Sequence, residues 1–355
     1  MNFILEALED EKVTCIGLSS NGKRGWQKPM KSSNGNHIFV WLMNLNRRTL
    51  LDISFSFALF FFLLFRVRTN DCILVYNFTT RVALPIILMK VLKKLKLIIE
   101  LEEVYGKIAD YERLGIFESH GFKIANGFIL ASKTMIPLTG GKPFVVSAGY
   151  YEREFEETRS DKNIDTDVAE PFLLYSGRID RFGGVFDLIR EFRSSSLEIP
   201  LVITGSGDSV SKMKQLVEND KRITYLGNIT RSKLLNLVLK DCICINPMNP
   251  GLDYAEFSFP SKIVWWLAHG KIVLSTPCPS VVNSDLSNYV RFFSFSNCES
   301  PGFTTFTQAV RESLNMLATR RSDCRKTSEE LLSVLKKQQR EIHDLIVKRI
   351  CSFSR

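Results

Sequence analysis

The stretch Phe259-Pro260-Ser261-Lys262 leads straight into the apolar run Ile263 to Ala268, and His269-Gly270-Lys271 closes it. Pro at a first-turn position and Gly at the end mark a short helix. Free backbone N–H groups, the Ser261 hydroxyl and the Lys262 ammonium then converge on one helix start, and together they suit a phosphate.

Other residues of matching chemistry recur at the ends of apolar runs. Gly177-Arg178 follows FLLYS, and Gly183-Gly184 opens the next helix, so an arginine fork stands where a diphosphate would be held bidentately. Gly205-Ser206-Gly207-Asp208, Tyr225-Leu226-Gly227 and Asn246-Pro247 follow three further runs, which puts glycine or small polar groups along one edge where a nucleotide would sit. Glu256, with Asp253 and Tyr254 near it, is a candidate acceptor for sugar hydroxyls. Earlier in the chain Glu100, Glu102 and Glu103 end the run KLIIELE. Strand alternation puts Glu100 and Glu102 on one face, and Glu102 is a candidate general base. His120 and His269 also titrate, but a lone histidine is more often structural, and His269 suits a helix carboxyl end.

Alternating strands and helices must carry these residues. Strands are expected at Lys12–Leu18, His37–Leu42, Asp71–Asn77, Lys96–Glu102, Gly127–Ser132 and Pro143–Gly149. Between them lie a short helical piece at Asn2–Leu8, a polar loop at Asn21–Asn36 and helices at about Arg47–Phe65 and Thr79–Leu95. The first strand of an ordinary nucleotide-type domain, with its Gly-rich turn, is expected to be missing. Residues 151–169 are charged and aperiodic, as a linker is. The alternation then restarts with strands at 171–176, 200–204, 223–226, 242–246 and 271–276 and helices between them. Such a pattern predicts parallel sheets covered on both faces, hence two doubly wound α/β domains, at 1–150 and 170–325. Apolar positions from Leu331 to Ile346 predict a long amphipathic helix within 326–355, packing back across both domains.

At 355 residues with 45% hydrophobic and 24% charged side chains, the composition is that of a globular protein of two domains. The eight cysteines include no CxxC pair, and no histidine lies at metal-ligand spacing, so no metal is expected and the setting is a reduced cytoplasm. Net charge is +9. Phosphorylated ligands and anionic lipid suit that balance, whereas no nucleic-acid motif accompanies the basic runs. The longest apolar run, Ile53 to Phe65, is too short to span a bilayer. It is read as a buried or membrane-surface helix, and Lys90, Lys93 and Lys94 on the following helix are expected to form a basic face toward the inner leaflet.

The segments YSGRID, VITGSG, ITYLGNI, DCICINP and FPSKIVWWLAHGKIVLST, in this order, resemble the C-terminal domain of GT-B glycosyltransferases, especially family 4 enzymes of bacterial surface-polysaccharide, O-antigen and capsule synthesis. The resemblance implies two Rossmann-like domains and transfer of sugar from a nucleotide-diphosphate sugar to a lipid-linked or polysaccharide acceptor, without a metal. By resemblance Arg178 and Lys262 bind the donor diphosphate, Gly177, Gly205, Gly207 and Tyr225 line the donor site, Ser261 meets the phosphate, and Glu256 lies near the donor sugar. The sequence departs from the family where Trp265 replaces a second glutamate and where Gly183 follows Arg181 without the usual lysine. A non-catalytic scaffold and a nucleotide-sugar epimerase of the same fold are the alternative readings.

Overall fold

The runs FLLYS, LVIT, CICIN and IVLS of the second half are buried along nearly their whole length, as strands covered on both faces are. The computed structural model describes residues 14–19, 25–26, 30–31, 37–42, 48–108, 112–149, 168–296, 302–319 and 321–350, with backbone alone for 14–52 and 321–327. The chain divides into two compact units: Met1–Ala131, Met135–Gly149 and Lys337–Arg355 form the first, and Ser132–Thr134 with Tyr150–Lys336 the second.

In the first unit, β1 (Thr14–Ser19) pairs in parallel with β4 (His37–Leu42). The segment expected as a polar loop contributes two short strands, β2 (Gly25–Trp26) and β3 (Met30–Lys31), which fold back antiparallel onto β4. Pairing of this kind covers an edge that β4 would otherwise leave open. The helical piece expected at Asn2–Leu8 lies outside the described residues, as do 151–167 of the expected linker. A separate, all-parallel sheet has the order β5-β6-β7-β8, from Cys72–Tyr76, Lys96–Leu101, Gly127–Leu130 and Phe144–Val146. Its helices are α1 (Arg48–Arg66), α2 (Thr80–Lys93) and α3 (Glu118–Ile124).

The lysines of α2 do not form the expected solvated face. Lys93 Nζ donates to the carbonyls of Leu63 (3.1 Å), Leu64 (2.5 Å) and Val67, closing the carboxyl end of α1. Lys90 Nζ donates to Leu95 O at 3.0 Å and Asn126 Oδ1 at 2.7 Å, and burial lowers its pKa. A helix end leaves four carbonyls unpaired, so a cation there is drawn inward. Lys94 alone of the three remains exposed.

The second unit holds seven strands in the order β11-β10-β9-β12-β13-β14-β15, all parallel. They are β9 (Phe172–Ser176), β10 (Leu201–Thr204), β11 (Ile223–Tyr225), β12 (Cys242–Asn246), β13 (Ile272–Ser275), β14 (Val290–Ser294) and β15 (Thr304–Thr305). The helices are α4 (Val185–Ser194), α5 (Val210–Val217), α6 (Arg231–Leu239), α7 (Asp253–Glu256), α8 (Lys262–Ala268), α9 (Pro279–Val282), α10 (Phe306–Thr319) and α11 (Arg321–His343). From β9 the chain winds one way through β10 and β11, then returns to pair β12 on the other side of β9. That reversal opens a crevice at the carboxyl ends of β9 and β12.

The closing helix runs as expected through its apolar row. Leu331, Leu335, Ile342, Leu345 and Ile346 are buried, and after His343 the chain continues as a π-helical turn, Asp344–Ile350. Ser328 donates to Ala268 O in the second unit, and Ile350 lies against Gly127 in the first.

Losing the Lys93 clamp should cost roughly 1–3 kcal/mol, since charge-assisted bonds to half-buried carbonyls disappear. Urea unfolding of Lys93→Ala should show that loss, and Lys94→Ala should stay within about 0.5 kcal/mol of wild type. Equal effects of the two substitutions would contradict the clamp.

Candidate functional site

At the crevice the loops after β9, β10, β11 and β12 are held together by backbone contacts that leave no room for side chains. Gly205, at φ 134°, presents its missing Cβ to Gly177 O; a built Cβ would lie 1.8 Å from that oxygen. Gly184, at φ 71°, stands the same way against Pro247 O, also at 1.8 Å. Both positions need glycine twice over, for the left-handed backbone and for the approach. Gly207 lies in the same turn against Ile179, whose N–H donates to Ser206 O at 2.9 Å. Tyr225 OH donates to Gly205 O at 2.8 Å, so Tyr225 holds the glycine turn from behind. The first role of these glycines is therefore to let loop meet loop.

Lys262 enters this frame from the start of α8. Its Nζ sits 4.7 Å from the Tyr175 ring centroid and 5.4 Å from that of Trp266, beside Gly177. Among the described residues none accepts a hydrogen bond from it. Burial lowers its pKa from 10.5 to about 8, against smaller raising effects of Cys278, Cys244 and Asp180. Two aromatic faces stabilise a cation without neutralising it. An ammonium held so is short of an anion.

Arg178 takes part differently. Its Nε meets Asp180 Oδ2 at 2.9 Å while most of its side chain stays exposed. Asp180 is buried, and its Oδ1 accepts the N–H groups of Phe182 and Gly183, each at 2.9 Å. Tyr175 OH donates to Arg178 O at 2.6 Å. Asp180 and Tyr175 thus shape the loop that presents Arg178, and sequence reasoning missed both. An Asp placed two and three residues before the amides it accepts is the one signal that marked Asp180.

Ser261, at the start of α8, is exposed, with helical backbone and no side-chain hydrogen bond capping the helix. Glu256 is exposed at the end of α7. Tyr254 stacks obliquely on Phe182, 5.3 Å between ring centroids, and Arg181 lies over Phe182 at 4.7 Å. Trp265 packs on His269, whose Nδ1 lies 2.7 Å from Trp265 O. Exposed on α3, His120 meets Phe117 edge-on.

Glu102 belongs to the first unit. Asn77, buried and at φ 47°, accepts the Glu102 and Glu103 N–H groups on its Oδ1 at 2.9 and 3.3 Å. Burial raises the Glu102 pKa to about 7, and the neighbouring charges of Glu100 and Glu103 push the same way. Glu118 accepts the Tyr105 and Gly106 N–H groups at 2.9 and 2.8 Å and is also raised to about 7, mainly by burial. Glu102 thus lies just past the end of β6 and Glu118 at the start of α3, each with its carboxyl pKa raised by burial.

No protein family matches this sequence, and no curated protein does. Solved structures do match in fold. Sucrose-phosphate synthase from Thermosynechococcus elongatus is 13% identical with a TM-score of 0.72, over 96% of this chain and 90% of that one. The fold is GT-B. The E. coli trehalose-6-phosphate structure bound with UDP-2-fluoro glucose gives 10% identity and 0.63, over 99% and 95%. Lipopolysaccharide outer core galactosyltransferase WaaB, in its apo form, gives 14% and 0.51, over 88% and 84%. The GT-B architecture expected from the sequence is what this chain adopts, with the crevice of its second unit formed as described.

The charge on Lys262 has a thermodynamic signature. Its folded pKa lies below the unfolded value, so the folded protein carries the burial penalty at pH 7 and sheds it as pH rises from about 8 toward 10.5. Part of that penalty is offset by the aromatic faces. Lys262→Met should therefore be more stable than wild type at pH 7, on the order of 1–2 kcal/mol, with the gap closing by pH 10. Denaturant titrations at the two pH values measure it, and a variant less stable at pH 7 would show that the aromatic seat outweighs burial.

Proposed function

We propose that this protein transfers a glycosyl group from a nucleotide-diphosphate sugar to a lipid-linked or polysaccharide acceptor in cell-surface polysaccharide synthesis, in the manner of family 4 glycosyltransferases. The observation that carries the reading is Lys262: a cation with no hydrogen-bond acceptor among the described residues, fixed beside Gly177 at the crevice of a GT-B unit. The fold neighbours support the donor class, since one is bound with UDP-2-fluoro glucose, and WaaB supports an acceptor of the lipopolysaccharide kind.

Lys262 and Arg178 receive the diphosphate, and the charge that builds on it as the glycosidic bond breaks is met by both. Gly177, Gly205 and Gly207 let the nucleotide lie against backbone, and Tyr225 keeps the turn that carries them. Ser261 offers its exposed hydroxyl to the phosphate, and Glu256 accepts hydrogen bonds from donor-sugar hydroxyls. Glu102, with its pKa near 7, takes the proton of the acceptor hydroxyl. No resident cofactor or metal is needed, because two cations meet the leaving group. The reaction belongs on the cytoplasmic side, where nucleotide sugars are made.

Isothermal titration with UDP-, GDP- and TDP-sugars tests the donor. One nucleotide class should bind, and Arg178→Ala and Lys262→Ala should each weaken it roughly tenfold or more. Absence of binding by every donor overturns the enzyme reading and favours a scaffold.

Glu102 sets the pH dependence. Turnover should climb through about pH 7 as its carboxyl ionises, and Glu102→Gln should lower the rate roughly a hundredfold and flatten that limb. An unchanged pH profile in Glu102→Gln would remove it from catalysis.

A further inference from the structure

Eight of the fourteen exposed large hydrophobic side chains among the described residues sit on two helices packed side by side, α1 and α2. On α1 they are Ile53, Phe57, Phe61 and Phe65, one per turn, opposite the buried row of Phe55, Leu59 and Leu63. The others, Leu84, Leu88, Val91 and Leu92, stand on α2, opposite Ala83, Ile86 and Met89. Exposures run from 41% to 79%, and Phe65 is the most open. Soluble surfaces scatter such residues singly, and a paired row of this size marks a binding face.

The two helices run in parallel. Ser56 Oγ donates to Arg81 O near their amino ends, and Lys93 reaches Leu63 and Leu64 O at their carboxyl ends. At that carboxyl end the exposed cations gather: Arg66, Arg68 and Lys94. Asp71 accepts the Arg68 backbone N–H on its carboxylate. Within α1 and α2 the only acidic residue is Asp52. The face is therefore a hydrocarbon surface with a cationic border.

We infer that this α1–α2 face docks flat on an anionic lipid bilayer, with Phe57, Phe61, Phe65, Leu84 and Val91 entering the headgroup boundary and Arg66, Arg68 and Lys94 pairing with lipid phosphates. The two rows carry no polar side chain. A fluid bilayer needs none and rewards apolar area together with positive charge. The helices lie on the surface and do not cross it, for no helix among the described residues is long and apolar enough to do so. Lys90 and Lys93, expected from sequence to supply the charge, have their ammonium groups turned into the protein. The inference concerns the first unit alone and is independent of the sugar-transfer reading.

Sedimentation with unilamellar vesicles of phosphatidylcholine, with and without phosphatidylglycerol, tests it on the full chain. Wild type should pellet with the phosphatidylglycerol vesicles and be released by salt, since the rim charges are screened. Phe57→Ser/Phe61→Ser should lower partitioning ~10-fold or more, and Arg68→Glu/Lys94→Glu should remove the preference for anionic lipid. Lys90→Gln should stay within about twofold of wild type. Should the Phe pair fail to fold by circular dichroism, Leu84→Ser/Val91→Ser reports on the same face from the other helix. Wild type left in the supernatant at low salt, or serine variants that pellet like wild type, overturns the proposal. So does a dimer that the serine variants dissolve while vesicles bind nothing, which would assign the face to a second copy of the chain. UDP-sugar titration of the same variants separates these results from any failure of the donor site.

Discussion

A positive charge held on aromatic faces, with no hydrogen-bond acceptor among the described residues, is the constraint around which the second unit is arranged. Lys262 keeps its place only because Tyr175 and Trp266 flank it and Gly177 leaves it space. Tyr175 is in turn fixed by its bond to Arg178 O, and Arg178 is steered by Asp180. Moving any one of these loosens the others. The energy that burial withholds from folding is available to an anion that enters, which is how a site trades stability for affinity.

The backbone contacts behind that charge are a second level of the same arrangement. Gly205 on Gly177 and Gly184 on Pro247 lock the turns at the switch point from β10 and β12. Their rigidity lets a single ammonium be placed without a carboxylate to hold it. A looser set of loops would let Lys262 swing to solvent and lose the selectivity of a fixed point charge.

Much of this was legible in the sequence, and what was not has physical causes. Strands such as PLVIT and KIVLST announce themselves because a strand buried on both faces must be apolar throughout, and glycines after them mark turns. Asp180 escaped notice because its partners are backbone amides, which every sequence has. Lys90 and Lys93 misled for the opposite reason: helical spacing says which residues neighbour each other, but not whether a long side chain bends into a helix end. The strands β2 and β3 were hidden in a polar stretch because pairing depends on an open edge elsewhere, which no local pattern records.

The return of the chain at Lys337 to the unit in which it began bears on how the protein is made. Between Tyr150 and Lys336 the second unit is contiguous, so on the ribosome it has all of its residues before the first unit has its last ones. Until the turn bearing Leu345, Ile346 and Ile350 emerges, the place beside Gly127 where Ile350 belongs stays uncovered. The unit that is started first is finished last.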